Sequence, residues 1–187
     1  MADGAARIVL MMGISIDGFV AVPTGDGLSP VMEGGELPPE APELTKAKLD
    51  WIWEAGAHLM GRNTYEEMAS YWPTSNHEYA APMKEIPKVV FSKSLERADW
   101  PVSRIVRGDL AEEIAKLKRE SAKDLIAWGG ASFAQSLARE GLIDEYRLTT
   151  HPVAVAVGEP LFRDLLAPAR LKLIESRMFT SAAMHVF

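Results

Sequence analysis

The pattern of apolar and polar positions alternates between short buried strands and amphipathic helices. Arg7–Ile16 (RIVLMMGISI) is a nearly continuous apolar run rich in β-branched residues, as expected of a central strand covered on both faces. Asp17-Gly18 interrupts it, and Phe19-Val20-Ala21 resumes the apolar character. Between Pro23 and Pro42 lie five prolines and four acids, which predict a long surface loop of the kind that serves as a lid or binding loop. Leu44–Ala55 reads as a helix, with Leu44, Ala47 and Trp51 on one stripe and Leu49, Ile52 and Trp53 widening it; Gly56 ends it.

Two later stretches share one logic. Ala57–Met60 is a short strand, Gly61-Arg62 a turn, and Asn63–Glu66 a helix start resembling a capping box; that helix should stop before Pro73. In Leu125–Gly141 (LIAWGGASFAQSLAREG) a short apolar strand runs into Gly129-Gly130, after which Phe133, Ala134, Leu137 and Ala138 recur at helical spacing up to Gly141. Between them a polar, proline-punctuated loop runs to Pro87. The strand Lys88–Phe91 follows, then polar Ser92-Lys93-Ser94, a strand Arg104–Arg107, and a helix Leu110–Glu120 capped by Asp109. Ile143–Thr150 reads as a strand, and Pro152–Val157 as a second apolar run at a sheet edge or strand start. Leu171–Phe179 and Ala183–Phe187 read as an antiparallel pair. Strand–helix repeats first and strands last predict a mixed sheet flanked by helices, one domain over residues 1–187.

Composition narrows the function classes. With 187 residues and 48% apolar content, the chain can bury a full core without disulfides or metal. A net charge of −6 and the lack of any Lys/Arg run argue against nucleic acid as a partner. The absence of cysteine excludes thiol catalysis and Cys-based zinc sites, and fits a reducing, cytoplasmic setting. No apolar stretch has membrane-spanning length and Met1–Ala6 holds no signal-peptide core, so no membrane partner is expected.

The candidate chemistry lies at helix starts that follow glycine turns. Such a helix presents free N–H groups and the positive end of its dipole, and therefore seats anions. Two of them, at Gly61–Thr64 and Gly129–Ser132, suit a dinucleotide carrying separate phosphates. Arg62 would add charge at the first, and Lys93, with Ser92 and Ser94, could meet a 2′-phosphate; from the residues alone, solvated surface positions are the favoured reading for both cations. Neither GxGxxG nor GxxxxGK[ST] occurs. His58, His77, His151 and His185 show no metal-ligand spacing and read as structural, His151 being the one among them that also stands as a functional candidate. Asp17 is a carboxylate at the end of a buried strand, or simply a turn former before Gly18. Asp50 and Glu54 share a helical face at i, i+4, and Trp51 or Trp72 could stack a flat ring.

Taken in order, Ser15-Ile16-Asp17-Gly18-Phe19, Met60-Gly61-Arg62-Asn63-Thr64-Tyr65-Glu66, Ser92-Lys93-Ser94-Leu95, Gly129-Gly130, Leu142–Glu145 and His151-Pro152 to Phe162 resemble the dihydrofolate-reductase-like superfamily. The branch they are most similar to is the C-terminal reductase domain of the riboflavin-biosynthesis deaminase/reductase (RibD). The resemblance implies a three-layer α/β fold with a mixed, mainly parallel eight-stranded sheet, flanking helices and antiparallel C-terminal strands. It also implies NADPH as cofactor and hydride transfer to a small heterocyclic or sugar-amine substrate, related to 5-amino-6-(5-phosphoribosylamino)uracil reduction. On this resemblance Gly61, Arg62 and Thr64 sit at the cofactor phosphates, Ser92 and Lys93 at the 2′-phosphate, and Gly129, Gly130, Ala131 and Ser132 at the pyrophosphate, while Asp17 lies near the nicotinamide as the catalytic candidate. A homodimer is an assembly it allows, and no metal is implied. Two departures stand out. The acid that dihydrofolate reductase carries on the helix before the G-R-x-T motif would fall at Thr45, with Glu43 and Asp50 near but not matching, and Ala156 stands where relatives often have glycine. The alternatives left open are a dihydrofolate reductase with a relocated acid and a non-catalytic NADP(H)-binding protein.

Overall fold

A computed structural model of the chain describes residues 5–23, 27–28 and 39–187. Most of the proline-rich loop expected between Pro23 and Pro42 lies outside the described residues. The elements are β1 (Ile8–Ser15), β2 (Phe19–Ala21), α1 (Pro42–Trp53), β3 (Ala57–Gly61), α2 (Arg62–Tyr71), α3 (Ala80–Glu85), β4 (Lys88–Phe91), β5 (Ser103–Val106), α4 (Leu110–Glu120), β6 (Leu125–Ala127), α5 (Ala131–Arg139), β7 (Glu145–His151), β8 (Glu159–Pro160), β9 (Glu175–Met178) and β10 (Ala183–Val186). Eight strands form one sheet in the order β5-β4-β3-β6-β1-β7-β10-β9, while β2 and β8 pair separately. All neighbours from β5 through β7 are parallel, and β10 pairs antiparallel with both β7 and β9.

The continuous apolar run of β1 has the reason the pattern suggested, because helices cover both faces of the sheet. Ile8 and Leu10 face Leu59, Leu125 and Ala127, beneath Ile114 and Leu117 of α4 and Phe133, Ala134 and Leu137 of α5. Met11 faces the other way, joining Met60, Val90 and Ile126 beneath Ile52 of α1, Tyr65 of α2 and Met83 of α3. A third small cluster seats Leu44 of α1 on Met184 of β10.

Several boundaries differ from the pattern. The first helix begins at Pro42, where proline costs no hydrogen bond, and Trp53 lies on its exposed side. Residues 152–157 form no strand, and Leu171–Ile174 stay outside β9 as exposed apolar chain. The proline-punctuated loop hides α3, whose Pro82 falls within its first turn, the part of a helix that tolerates proline.

Two buried polar side chains face the α1–α3 layer side by side, since His58 of β3 is in register with Lys88 of β4. Both are fully buried. Lys88 Nζ donates to the carbonyls of Lys84 (2.7 Å) and Pro101 (3.3 Å) and stands 4.3 Å above the Trp100 ring. Burial without a carboxylate brings its pKa down to about 8. His58 Nδ1 accepts the indole N–H of Trp128 at 2.8 Å, which puts its own proton on Nε2. Burial drives the His58 pKa down to about 3.

Depressed pKa values on bases set the direction of acid sensitivity. Below pH 6.5 the unfolded chain binds a proton at His58 that the folded chain refuses until about pH 3, so stability falls as pH falls through that window. Lys88 acts in the same sense between pH 10.5 and about 8. Denaturant unfolding from pH 7 to 4.5 should therefore show proton uptake on unfolding that includes His58. His58→Phe strips Trp128 of its acceptor and should cost about 1–3 kcal/mol at pH 7, yet it should flatten the slope; an unchanged slope would mean that His58 titrates normally.

Candidate active site at the carboxyl edge of the sheet

The chain leaves β1 for β3, β4 and β5, returns to β6 between β3 and β1, and only then lays down β7 on the far side of β1. In open parallel sheets, ligands bind above the carboxyl ends of the strands near such a reversal. The residues expected at the cofactor and Asp17 lie along this edge.

Its middle is built from two strand ends and two helix starts. Gly129 and Gly130, between β6 and α5, have φ of +76° and +64°. A Cβ on Gly130 would lie 2.5 Å from Thr64 Oγ1, and one on Gly129 would lie 2.7 Å from the Met12 methyl group. Conformation and space alike therefore require glycine. The buried Thr64 hydroxyl, in the first turn of α2, donates to the Gly129 carbonyl at 3.1 Å. Thr64 thus holds the turn, with its donor already spent. Gly130 is the N-cap of α5 and brings no capping side chain, and the Ala131 and Ser132 N–H groups have no acceptor among the described residues. Gly61 likewise caps α2 without a side chain.

Cations collect toward β4 and β5. Ser92 Oγ accepts the N–H groups of Ser94 (3.3 Å) and Leu95 (2.9 Å), which curls the chain after β4 and leaves the hydroxyl proton free to donate. Arg62 bridges Glu66 (2.9 Å) and the Ser94 hydroxyl (3.2 Å). Arg107, one residue past β5, donates to the carbonyls of Ser92 (3.2 Å) and Leu95 (2.6 Å). Neither Lys93 nor Arg107 has a carboxylate partner among the described residues, and both are exposed. Sequence reasoning gave Arg107 no role, although the register signals it: Phe91 lies opposite Val106, so Ser92 and Arg107 leave the sheet side by side.

Toward β1 and β7 the edge is a network of paired groups. Asp17 accepts the Ser15 hydroxyl (2.6 Å) and the N–H groups of Val155 (3.1 Å) and Ala156 (2.8 Å). The Ser15 hydroxyl first, then the Ala156 amide, hold its carboxyl below the ordinary range, so it stays ionised and clamps the segment after β7. Ala156 reaches Asp17 only at φ +65°, the left-handed region that makes glycine the natural residue there. Nearby, just before α1, Glu40 accepts from Lys48, Tyr79 and Thr45. Burial works to raise the Glu40 carboxyl, but the Lys48 charge and the three donors hold it below its ordinary value. The Tyr79 hydroxyl is pushed up by burial and then by its bond to Glu40. His151, at the end of β7, presses on β1 so closely that a Cβ at Gly13 would lie 3.1 Å from its Nε2. Burial, with Lys48 adding and Glu40 opposing, lowers its pKa and favours neutral imidazole. Of the Glu40 cluster and the histidine beside it, the sequence singled out His151 alone, because residues 40–48, Tyr79 and His151 are separate segments that share no motif.

Some expected roles fall away. Glu66 reaches back to Arg62 instead of capping a helix at Asn63, because β3 runs without a break into α2. Asp50 pairs with Lys46 at 2.9 Å, so it does not act with Glu54. Trp51 is already stacked under the Arg147 guanidinium at 4.3 Å, and Trp72 packs edge-on against Tyr71 and His77. No cluster of potential metal ligands occurs among the described residues, and no helix among them is long and apolar enough to cross a membrane.

Comparison with known proteins adds a family. The family model of the RibD C-terminal domain matches residues 6–184. Two uncharacterized Bacillus subtilis proteins are similar along nearly their whole lengths: YyaP is 28% identical over 186 residues, covering 96% of this chain and 93% of its own, and YwjB is 27% identical over 179 residues, covering 94% of each. Among solved structures, a Shewanella sp. PV-4 protein assigned to riboflavin biosynthesis superposes with a TM-score of 0.77 at 22% identity, covering 96% of this chain and 97% of its own. The Thermotoga maritima diaminohydroxyphosphoribosylaminopyrimidine deaminase/5-amino-6-(5-phosphoribosylamino)uracil reductase superposes with a TM-score of 0.66 at 14% identity, covering 97% of this chain but only 56% of that longer one. At these identities the structures establish the shared fold.

The strained clamp residue offers a direct check. Ala156→Gly relieves a left-handed alanine while adding glycine's freedom to the unfolded chain, so a net stabilisation of about 0.5–1 kcal/mol is expected in denaturant unfolding. A loss of stability would show that Ala156 is unstrained.

Proposed function

The chain belongs to the RibD C-terminal domain family, and on that premise we propose that it is an NADPH-dependent reductase transferring a hydride to a small heterocyclic or sugar-amine substrate. The observation that carries the reading is the spacing of two anion seats on one sheet edge. The uncapped start of α5 follows β6, while Lys93 and Arg107 follow β4 and β5. β6 and β4 are two strand spacings apart, about 10 Å, a span that a pyrophosphate and a ribose 2′-phosphate of one dinucleotide can bridge. The donors suit those groups. Backbone N–H groups of Ala131 and Ser132 meet a pyrophosphate at the positive end of a helix. Lys93, Arg107 and the free Ser92 proton meet a phosphate dianion.

Gly129 and Gly130 would let the pyrophosphate approach the backbone, and Thr64 would keep that turn in place. Arg62, drawn toward Ser94, would close the phosphate channel between the two seats. When bound, NADPH supplies the hydride from its nicotinamide ring, and the protein's part is to hold that ring against the substrate and exclude water. Asp17 serves by position: ionised and triply bonded, it fixes residues 155–156 beside the end of β1 and donates no proton.

A second reading, dihydrofolate reduction with a relocated acid, is favoured by one contact. The Thr45 hydroxyl, at the position where that acid is absent, donates to Glu40 at 3.0 Å. Methotrexate-sensitive oxidation of NADPH by dihydrofolate would establish it.

Fluorescence titration with NADPH, NADH and NADP⁺, followed by a screen for substrate-dependent NADPH oxidation, tests the main reading. NADPH should bind well ahead of NADH. Lys93→Ala should weaken NADPH by about tenfold and leave NADH nearly unchanged; equal losses would remove Lys93 from the 2′-phosphate. Binding without oxidation of NADPH by any substrate would leave a nucleotide-binding protein in place of a reductase.

A further inference from the structure

The two halves of the carboxyl edge handle charge in opposite ways. On the β4–β5 half, Lys93 and Arg107 have no carboxylate partner among the described residues. On the other half, β1, the residues 16–23 that follow it, the segment 74–79 and the segment 152–160 contain no Lys or Arg. The cations of α1, β7 and the chain just past β8 are Lys46, Lys48, Arg147 and Arg163, and each is bridged to an acid: Asp50, Glu40, Glu145 and Glu159 respectively.

A phosphate monoester carries close to two negative charges at neutral pH and needs unspent donors with positive charge. Lys48 is the cation close enough to His151 to act on its imidazole. Its charge is balanced by Glu40, and a phosphate beside the pair would meet the Glu40 carboxylate in a partly buried setting where like charges are poorly screened. What the cluster does offer is neutral polar recognition. Lys48 keeps two N–H donors, Glu40 Oε2 keeps a lone pair, and the neutral His151 imidazole can donate or accept.

We propose that the substrate reduced at this site is a phosphate-free polar heterocycle, bound at the carboxyl ends of β1 and β7 against His151 and the Glu40–Lys48–Tyr79 cluster. The only phosphates the edge accommodates are those of the cofactor. This rests on the reductase reading and narrows it, since it separates the chain's substrate from the phosphoribosyl compound named for the Thermotoga maritima enzyme.

The test uses 5-amino-6-(5-phosphoribosylamino)uracil and the same compound with its phosphate removed. Both are offered to the full chain saturated with NADPH, for turnover, and with NADP⁺, for binding read as a shift in melting temperature. The dephosphorylated compound should lead by at least about tenfold in kcat/KM or in affinity. Equal handling of the two, a preference for the phosphorylated one, or no effect of either would overturn the proposal. A prior NADPH titration keeps the two readings apart, because loss of cofactor binding would overturn the reductase reading itself. Glu40→Gln leaves Lys48 uncompensated and should narrow the discrimination to within about threefold. An unchanged ratio in a variant that still binds NADPH would show that the Glu40–Lys48 pair does not set it.

Discussion

The hydrogen bond from Thr64 to the Gly129 carbonyl is the constraint around which the carboxyl edge is arranged. It joins the first turn of α2 to the turn before α5, two segments 65 residues apart that leave the sheet from adjacent strands. To make it, both chains must approach more closely than side chains allow. Gly130 is therefore bare opposite the threonine, and a Cβ at Gly61 would come within 3.3 Å of Phe133. The bond satisfies the Gly129 carbonyl, while the neighbouring amides of Ala131 and Ser132 are left without an acceptor among the described residues. The geometry that leaves these amides free and the geometry that closes the core are the same geometry.

Below that turn, the sheet carries an unusual polar interior. Trp128, immediately before Gly129, donates an indole N–H hydrogen bond to His58, which lies beside Lys88. Neither base has a carboxylate, so both are held toward their neutral forms by burial, and the Trp100 ring with two carbonyls serves Lys88 in place of a counter-ion. Such an arrangement costs stability relative to an apolar core. In return, it gives the indole one orientation next to the glycine turn.

The sequence made the repeating strand–glycine–helix logic legible because it is local: β3 with α2 and β6 with α5 each fit in a window of about 15 residues, where hydrophobic period and glycine position speak directly. The Asp109 cap was legible for the same reason, and its side chain does accept the Ala111 and Glu112 amides. What stayed hidden was set by tertiary contact. Helix α3 is short, with a proline in its first turn, and it is held by Met83 in the core more than by propensity. On the site side, motif residues such as Gly61, Ser92 and Gly129 were found. Arg107 required knowing that β4 and β5 are neighbours, and the Glu40 cluster required knowing that three distant segments converge. Thr64 lies at the glycine turn, where its hydroxyl serves the turn itself.

The position of β1 has a consequence for how the molecule comes into being. It precedes its two sheet neighbours, β6 and β7, by more than a hundred residues. During synthesis this eight-residue apolar segment therefore has no native hydrogen-bonding partner until most of the chain exists. The β3-β4-β5 half, whose strands are sequential neighbours, can associate earlier and form a platform. β6, lying between β3 and β1, is the strand that joins this sequentially built half to the half that carries His151 and Asp17.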